Sequence, residues 1–338
     1  MWDILGAIAF IFGGCCSNVL TLEGIIGPAT SSVGSILTFC QFAFATLEGI
    51  WNFLDFSSPI PRLMPRKIPL KVYLISVLLY YTGSVTNNSV FQYGINVPLH
   101  IVFRCSGTVV TMLICWLFNG KQYTRLQVLS AALLTIGAII TSLFREQEFS
   151  LDIWRSSTGK NLSTELNARF STGLLLLVVS SLTSSTLSVY NEWTYQKYGK
   201  HWKESLFYTH ALALPVFLLN YKQLKEEFFA LSNSRKNAEL VLFDYSINMN
   251  KGQLLMANIL TQQACIKGVN LLACHTNALT LSVVLLARKF VSLLLSFYLF
   301  GGDLSTTCYV GITTVFAGAL LYTLAPNKST KLNKSKDS

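Results

Sequence analysis

The sequence predicts an all-α membrane protein of about ten transmembrane helices, on three observations. Of 338 residues, 51% are hydrophobic and only 12% charged, with a mean hydropathy of +0.47. A soluble domain carries roughly 25% charged residues. Apolar runs of spanning length recur from end to end, so the chain is polytopic rather than a globule with an anchor. The alternating ten-residue pattern of a barrel strand is missing from these runs, and a backbone in lipid must then close its hydrogen bonds as helix.

Taken in order, the spans run approximately 4–22, 33–54, 70–90, 98–118, 126–144, 170–190, 205–221, 253–273, 278–298 and 307–325. The first begins "MWDILGAIAF", with only Asp3 where a cleavable signal would carry basic residues, and is expected to stay on as a span. The first, third and eighth are the most polar. Two long loops are expected near 145–169 and 222–252.

The formal net charge of +10 points first to membrane orientation, not to nucleic acid. Arg62, Arg66, Lys67, Lys71, Lys121, Arg125, Lys197, Lys200 and Lys203 fall on one side of an even-numbered bundle. The tail 327–338, with Lys328, Lys331, Lys334 and Lys336, lies on that same side. That side becomes the cytosol, and both termini are cytosolic. In the long loops the basic residues are nearly balanced by Glu146, Glu148, Asp152, Glu226, Glu227 and Asp244. Asn161 then heads a lumenal glycosylation sequon.

The stretch from Phe103 echoes the stretch from Ala287: Arg104 faces Arg288, "LFNG" faces "LFGG" and "TIGA" faces "VFAGA". Spans four and five thus repeat as nine and ten. An offset of five spans inverts the copy, which gives two inverted five-helix repeats, about 1–144 and 170–326, within a transporter domain of 1–326. The eight cysteines all sit in or beside apolar spans, without paired Cys/His spacing; neither a disulfide framework nor a metal site is expected, but small residues at helix packing surfaces.

Charge inside the spans carries the functional expectation. Arg288 and Lys289 stand adjacent in the middle of "LLARKFVSLLLS", where a basic residue costs about 2.5–3.5 kcal/mol to insert. Glu48 and Glu192 are the plausible internal partners, with Glu23 weaker, against Arg104, Lys267, Arg288 and Lys289. The surplus is positive and suits a cavity that receives an anion. Span seven adds Phe207, Tyr208, Thr209 and His210 on one turn, followed by Pro215. Aromatic faces stack on a base while hydroxyl and imidazole groups bond its edge. Cations and aromatic turn together suggest a nucleotide.

At "FGGCCSNV", "NNSVFQYGINVPLHIVFR", "YNEWTYQKYGKHWKE" and "KGVNLLACHTNALTLSVVLLARKFVSLLLS" the chain resembles the nucleotide-sugar transporters of the drug/metabolite transporter superfamily, over essentially its whole length. It looks most like the fungal members that carry UDP-N-acetylglucosamine, whose animal relatives also carry UDP-xylose. GDP-mannose members bear Phe-Tyr-Asn-Asn in span seven and Gly-Ala-Leu-Asn-Lys in span nine. The matching stretches here are Phe207-Tyr208-Thr209-His210 and Leu285-Leu286-Ala287-Arg288-Lys289. The aromatic pair and the lysine survive; the asparagines that read guanine do not, which fits a uracil nucleotide.

The resemblance implies exchange of cytosolic UDP-sugar for lumenal UMP, with no cofactor or metal. The candidate binding set is Arg104, Tyr208, Thr209, His210, Asn277, Ser282, Arg288 and Lys289, with Tyr80, Tyr81, Asn87 and Asn88 as further sugar contacts. Lys334 and Lys336 are similar to a dilysine retrieval signal, which places the protein in the endoplasmic reticulum membrane or the Golgi. Membrane lipid is the expected surrounding partner, nucleic acid is not, and a homodimer is one open oligomeric state. Another UDP-sugar (of UDP-xylose or UDP-glucose type) is the alternative cargo. The rival class is a membrane-embedded glycosyl- or lipid-transfer enzyme, for which His100, His201, His210 and His275 are too scattered.

Overall fold

The computed structural model describes residues 2–26, 34–55, 62–93, 103, 105–143, 164–233, 238–242, 245–300 and 305–325. Its helices are α1 (Trp2–Ile26), α2 (Gly34–Phe53), α3 (Leu70–Ser89), α4 (Gly107–Asn119), α5 (Arg125–Leu143), α6 (Thr164–Tyr198), α7 (Trp202–Phe217), α8 (Tyr221–Asn233), α9 (Lys251–His275), α10 (Ala278–Phe300) and α11 (Thr306–Leu324). Each of the ten expected spans overlaps one of these helices. Among the described residues, three helices are long and apolar enough to cross a membrane, over Asp3–Leu22, Ser171–Tyr198 and Thr306–Leu324. The first span, expected to be among the most polar, is one of the three.

Two local features depart from the expected loops. Residues 222–252 hold α8 and an antiparallel hairpin, β3 (Ala238–Leu242) with β4 (Tyr245–Met249), in register Ala238↔Met249 through Leu242↔Tyr245. A shorter pair, β1 (Leu54–Asp55) with β2 (Arg62–Leu63), closes the connection after α2. Helix α6 is 35 residues long. At 1.5 Å per residue it extends about 52 Å, well beyond a hydrocarbon core of roughly 30 Å.

Helix ends follow their local chemistry. Asn250 and Gln253 form a reciprocal capping box at the start of α9, with Gln253 N donating to Asn250 Oδ1 at 2.8 Å. Gly120 ends α4 with φ 59°, and its N–H donates to Cys115 O. Pro215 lies inside α7, and the α-helix gives way to a 3-10 turn at Leu218–Asn220.

The chain divides into two compact units, each drawing on both halves of the sequence. Unit one comprises Met1–Leu78, Tyr190–Asn277 and Val291–Gly302; unit two comprises Leu79–Val189, Ala278–Phe290 and Asp303–Ser338. In unit one, α1 lies directly against α9. A Cβ on Gly14 would sit 2.6 Å from Cys265 N, and one on Gly268 would sit 2.9 Å from Ala7 O. Small residues let helix backbones approach this closely, which is how helices pack in lipid. The same closeness joins Cys15 to Cys265 as a disulfide, with Cα atoms 4.8 Å apart. This corrects the expectation of unbridged cysteines. A pairing across 250 residues leaves no spacing signature in the sequence.

Buried polar groups in unit one are answered across helices. Asn258 is fully buried. Its Nδ2 donates to Asn18 O (3.2 Å) and Thr21 Oγ1 (3.0 Å), and its Oδ1 accepts from Gln41 Nε2 (2.7 Å). Glu204, also buried, accepts from Lys67 N (3.0 Å), Ile68 N (3.1 Å) and Tyr73 Oη (3.0 Å), pinning the entry to α3 against the start of α7. In unit two, α5 and α11 are the closely packed pair, through Gly137, Gly311 and Gly318.

Candidate functional site

A cavity of about 470 Å3 in unit two is lined by a set of its polar residues. That is within the usual range for a small-molecule site, roughly 300–1,000 Å3. One wall is α10, where Ser282, Leu285, Arg288 and Lys289 recur at helical spacing and so share a face. Tyr80, Gly83 and Asn87 of α3 and Thr108 and Thr111 of α4 supply further walls. The last wall is α6, through Ser180, Ser181, Ser184, Ser185 and Ser188.

Hydroxyl bonds hold these walls together. Ser180 Oγ donates to Gly83 O at 3.1 Å, and Ser185 Oγ donates to Gly107 O at 3.3 Å, tying α6 to α3 and α4. Ser282 Oγ donates to Ala278 O at 2.9 Å and lies 3.4 Å from Thr111 Oγ1. Arg288 and Lys289 are half-buried beside this hydroxyl-rich surface. A guanidinium fork and an ammonium on one wall suit a phosphate, which accepts from both.

Tyr208, Thr209 and His210 belong to unit one. Tyr208 is buried and stacks on Tyr73 with ring centroids 5.2 Å apart, while the Arg66 guanidinium lies 5.9 Å from its ring centre. Phe207 stacks on Phe53 at 5.5 Å. Thr209 Oγ1 donates to Ser205 O at 2.6 Å. His210 Nδ1 is 2.7 Å from Leu206 O, and its ring packs against Phe42 at 4.4 Å. Asn277 is half-buried in the break between α9 and α10, also in unit one. Arg104, Asn161, Lys334 and Lys336 lie outside the described residues.

Unit one has its own cavity, of about 340 Å3, lined by Phe10, Glu48, Gly49, Asn52, Phe53, Trp202, Lys203, Phe207, Gln263 and Lys267. Glu48, one of the two expected ion-pair partners, is bonded on one carboxylate oxygen by Lys267 Nζ and on the other by Gln263 Nε2. The other, Glu192, is buried and accepts from Gln196 Nε2 at 2.9 Å. Sequence reasoning missed Gln263 and the serine face of α6. The serines carried a usable signal, because 180, 181, 184, 185 and 188 repeat at helical period along one face.

The pattern of the UAA transporter family matches residues 3–326. The "UDP-N-acetylglucosamine transporter YEA4" of Saccharomyces cerevisiae is 50% identical, over 99% of this chain and 100% of its own. The protein of the same name from Kluyveromyces lactis is 48% identical, over 95% and 97% of the two chains. The "UDP-xylose and UDP-N-acetylglucosamine transporter" of Danio rerio is 33% identical over 95% and 94%. One solved crystal structure is similar in fold alone, with a TM-score of 0.60 and 13% identity over 96% of this chain and 99% of its own. These relatives are carriers, and the kinship sets the transfer-enzyme class aside in favour of a membrane protein with a transport role. With its match running from residue 3 to residue 326, the chain belongs to the UAA transporter family.

Proposed function

We propose that the protein carries UDP-N-acetylglucosamine from the cytosol into the lumen of the endoplasmic reticulum or Golgi and returns UMP. The observation that carries this reading is the unit-two cavity, where Arg288 and Lys289 stand beside a wall of hydroxyls within otherwise apolar helices. Two cations that are expensive to place in a membrane are worth keeping where a diphosphate or a UMP dianion offsets them. Two relatives named for UDP-N-acetylglucosamine, at 50% and 48% identity, support the choice of sugar. UDP-xylose is the second reading, favoured by the doubly named relative at 33% identity.

In this reading ten helices cross the membrane as two inverted repeats, about 1–144 and 170–326, with both termini and the basic tail 327–338 in the cytosol. The clustering of Arg62, Arg66, Lys67 and Lys71 before α3, and of Lys197, Lys200 and Lys203 between α6 and α7, supports that orientation. Arg104 joins the phosphate-binding cations. Tyr208, Thr209 and His210 take the base, the ring by stacking and the hydroxyl and imidazole at its edge. Ser282 and Asn277 complete the set.

The test is reconstitution into liposomes preloaded with UMP and offered a panel of UDP-sugars. UDP-N-acetylglucosamine should enter fastest, and only when UMP is inside. Equal entry into empty liposomes would remove the exchange, and failure of every UDP-sugar to enter would remove the transport assignment.

A further inference from the structure

The Glu48–Lys267 pair is an odd way merely to neutralise a membrane lysine. A purely compensating pair belongs in a packed interior. Here the two side chains remain 32% and 33% exposed and line open volume in unit one. Gly49 lines the same cavity, and its lack of a Cβ leaves room for the Phe207 ring. The rings of Phe53 and Trp202 belong to the apolar part of the lining.

The polar groups at this cavity have capacity left over. Lys267 has three N–H donors and uses one on Glu48. The Glu48 oxygens each accept one bond and retain lone pairs. Gln263 is only 6% exposed, and its Oε1 is buried and accepts no hydrogen bond among the described residues. A buried acceptor without a donor is costly unless something else supplies one. Among Glu48, Gln263 and Lys267, donor and acceptor therefore stand side by side with little net charge; Lys203, the second cation of the lining, lies over the Trp202 ring at 5.7 Å. The paired Lys267 suits a phosphate poorly, because the Glu48 carboxylate beside it repels the anion. Vicinal hydroxyls do fit, because each hydroxyl both donates and accepts.

We infer that the unit-one cavity is a sugar-ring subsite, in which Glu48, Gln263 and Lys267 bond ring hydroxyls or an acetamido N–H while Trp202 and Phe53 pack against the ring's C–H face. The inference rests on the reading that the carried solute is a UDP-sugar, and it makes these three residues determinants of which sugar is accepted. Gln263 supplies the acceptor for one donor of the ring. Lys267 supplies a donor to an adjacent hydroxyl, and Glu48 fixes the lysine's position.

Binding of UDP-N-acetylglucosamine and of UMP to the detergent-purified full chain separates the possibilities. Gln263→Met keeps the ion pair and the side-chain volume. It should weaken UDP-N-acetylglucosamine binding tenfold or more while UMP binding changes less than twofold. Glu48→Gln should act in the same direction; if it fails to fold, Gln263→Met alone decides. Parallel loss of both ligands in Gln263→Met would show a structural or base-binding role and overturn the inference, as would undiminished affinity for UDP-N-acetylglucosamine. A wild-type protein that binds neither ligand would instead count against the UDP-sugar reading itself.

Discussion

Gly137 and Gly311 meet backbone to backbone: a Cβ built on Gly137 would lie 2.8 Å from Gly311 O, and one on Gly311 would lie 2.9 Å from Gly137 O. The same Gly311 Cβ would stand 2.7 Å from Thr141 N. The Thr141 hydroxyl, 2.5 Å from the Gly311 Cβ position, could turn away, but the main-chain atoms on both sides cannot. Gly311→Val should force α5 and α11 apart, at about 1–3 kcal/mol or more for overpacking. A lower melting temperature in detergent checks this. Gly6, with nothing within 4 Å of its Cβ position, is the control, and Gly6→Ala should melt like the parent.

Tyr73 joins two residues of α7: it stacks on Tyr208 and donates to Glu204. Glu204→Ala would strip three donors, Lys67 N, Ile68 N and Tyr73 Oη, of their acceptor. An unsatisfied buried group costs about 1–3 kcal/mol, and with Ile68 N and Tyr73 Oη buried a loss of about 2 kcal/mol or more is expected. Tyr208→Ala should also lower the melting temperature without ligand, by opening a cavity in the cluster of Ile68, Val72, Tyr73 and Phe207. Tyr208→Phe keeps the stack and should melt within a degree or two of the parent. A Tyr208→Ala protein of unchanged stability would show that the ring is not needed for packing.

Lys289→Ala should abolish UMP/UDP-sugar exchange in liposomes while expression is maintained, because removing a charge from a membrane helix aids insertion. Arg288→Lys keeps the charge but loses the planar fork, and should weaken UMP binding by about tenfold, the equivalent of 1.4 kcal/mol. Full exchange by a well-expressed Lys289→Ala protein would remove the phosphate role.

Tags at both ends should be reachable from the cytosolic face of intact microsomes, and a tag inserted in 145–169 should be protected. Lys334→Ser with Lys336→Ser should shift a tagged copy outward towards the Golgi. A protected C-terminus would contradict the proposed even number of crossings, and unchanged residence would retire the retrieval signal.

Helix positions were largely legible because lipid leaves the backbone one economical way to bond itself, and apolar composition reports it directly. Arg288 and Lys289 were legible for the converse reason, since charge in such a run stands out. What stayed hidden depends on long-range meetings. Nothing near Cys15 announces Cys265, and Gln263 reads as one more polar residue until Glu48 is beside it. The α6 serines were legible in period but were passed over, because small hydroxyls are ordinary filler in a membrane helix. Helix α8 and the β3–β4 hairpin were concealed by the balanced charge of their segment, which resembles a solvated loop.

The hydrogen bonds of unit one also set an order of events during synthesis. Thr46 and Thr261 donate to carbonyls four residues back, so they are satisfied as soon as their own helix forms. Gln41 and Glu48 of α2 wait for Asn258, Gln263 and Lys267, made 217, 215 and 219 residues later. At roughly 5–20 residues per second, that interval is on the order of 10–45 s. If α2 enters the bilayer as proposed, it must be sheltered at the translocon, or by an assembly factor, until α9 emerges. Truncation of the chain before α9 should therefore leave a nascent protein that quality control recognises by its unanswered glutamate.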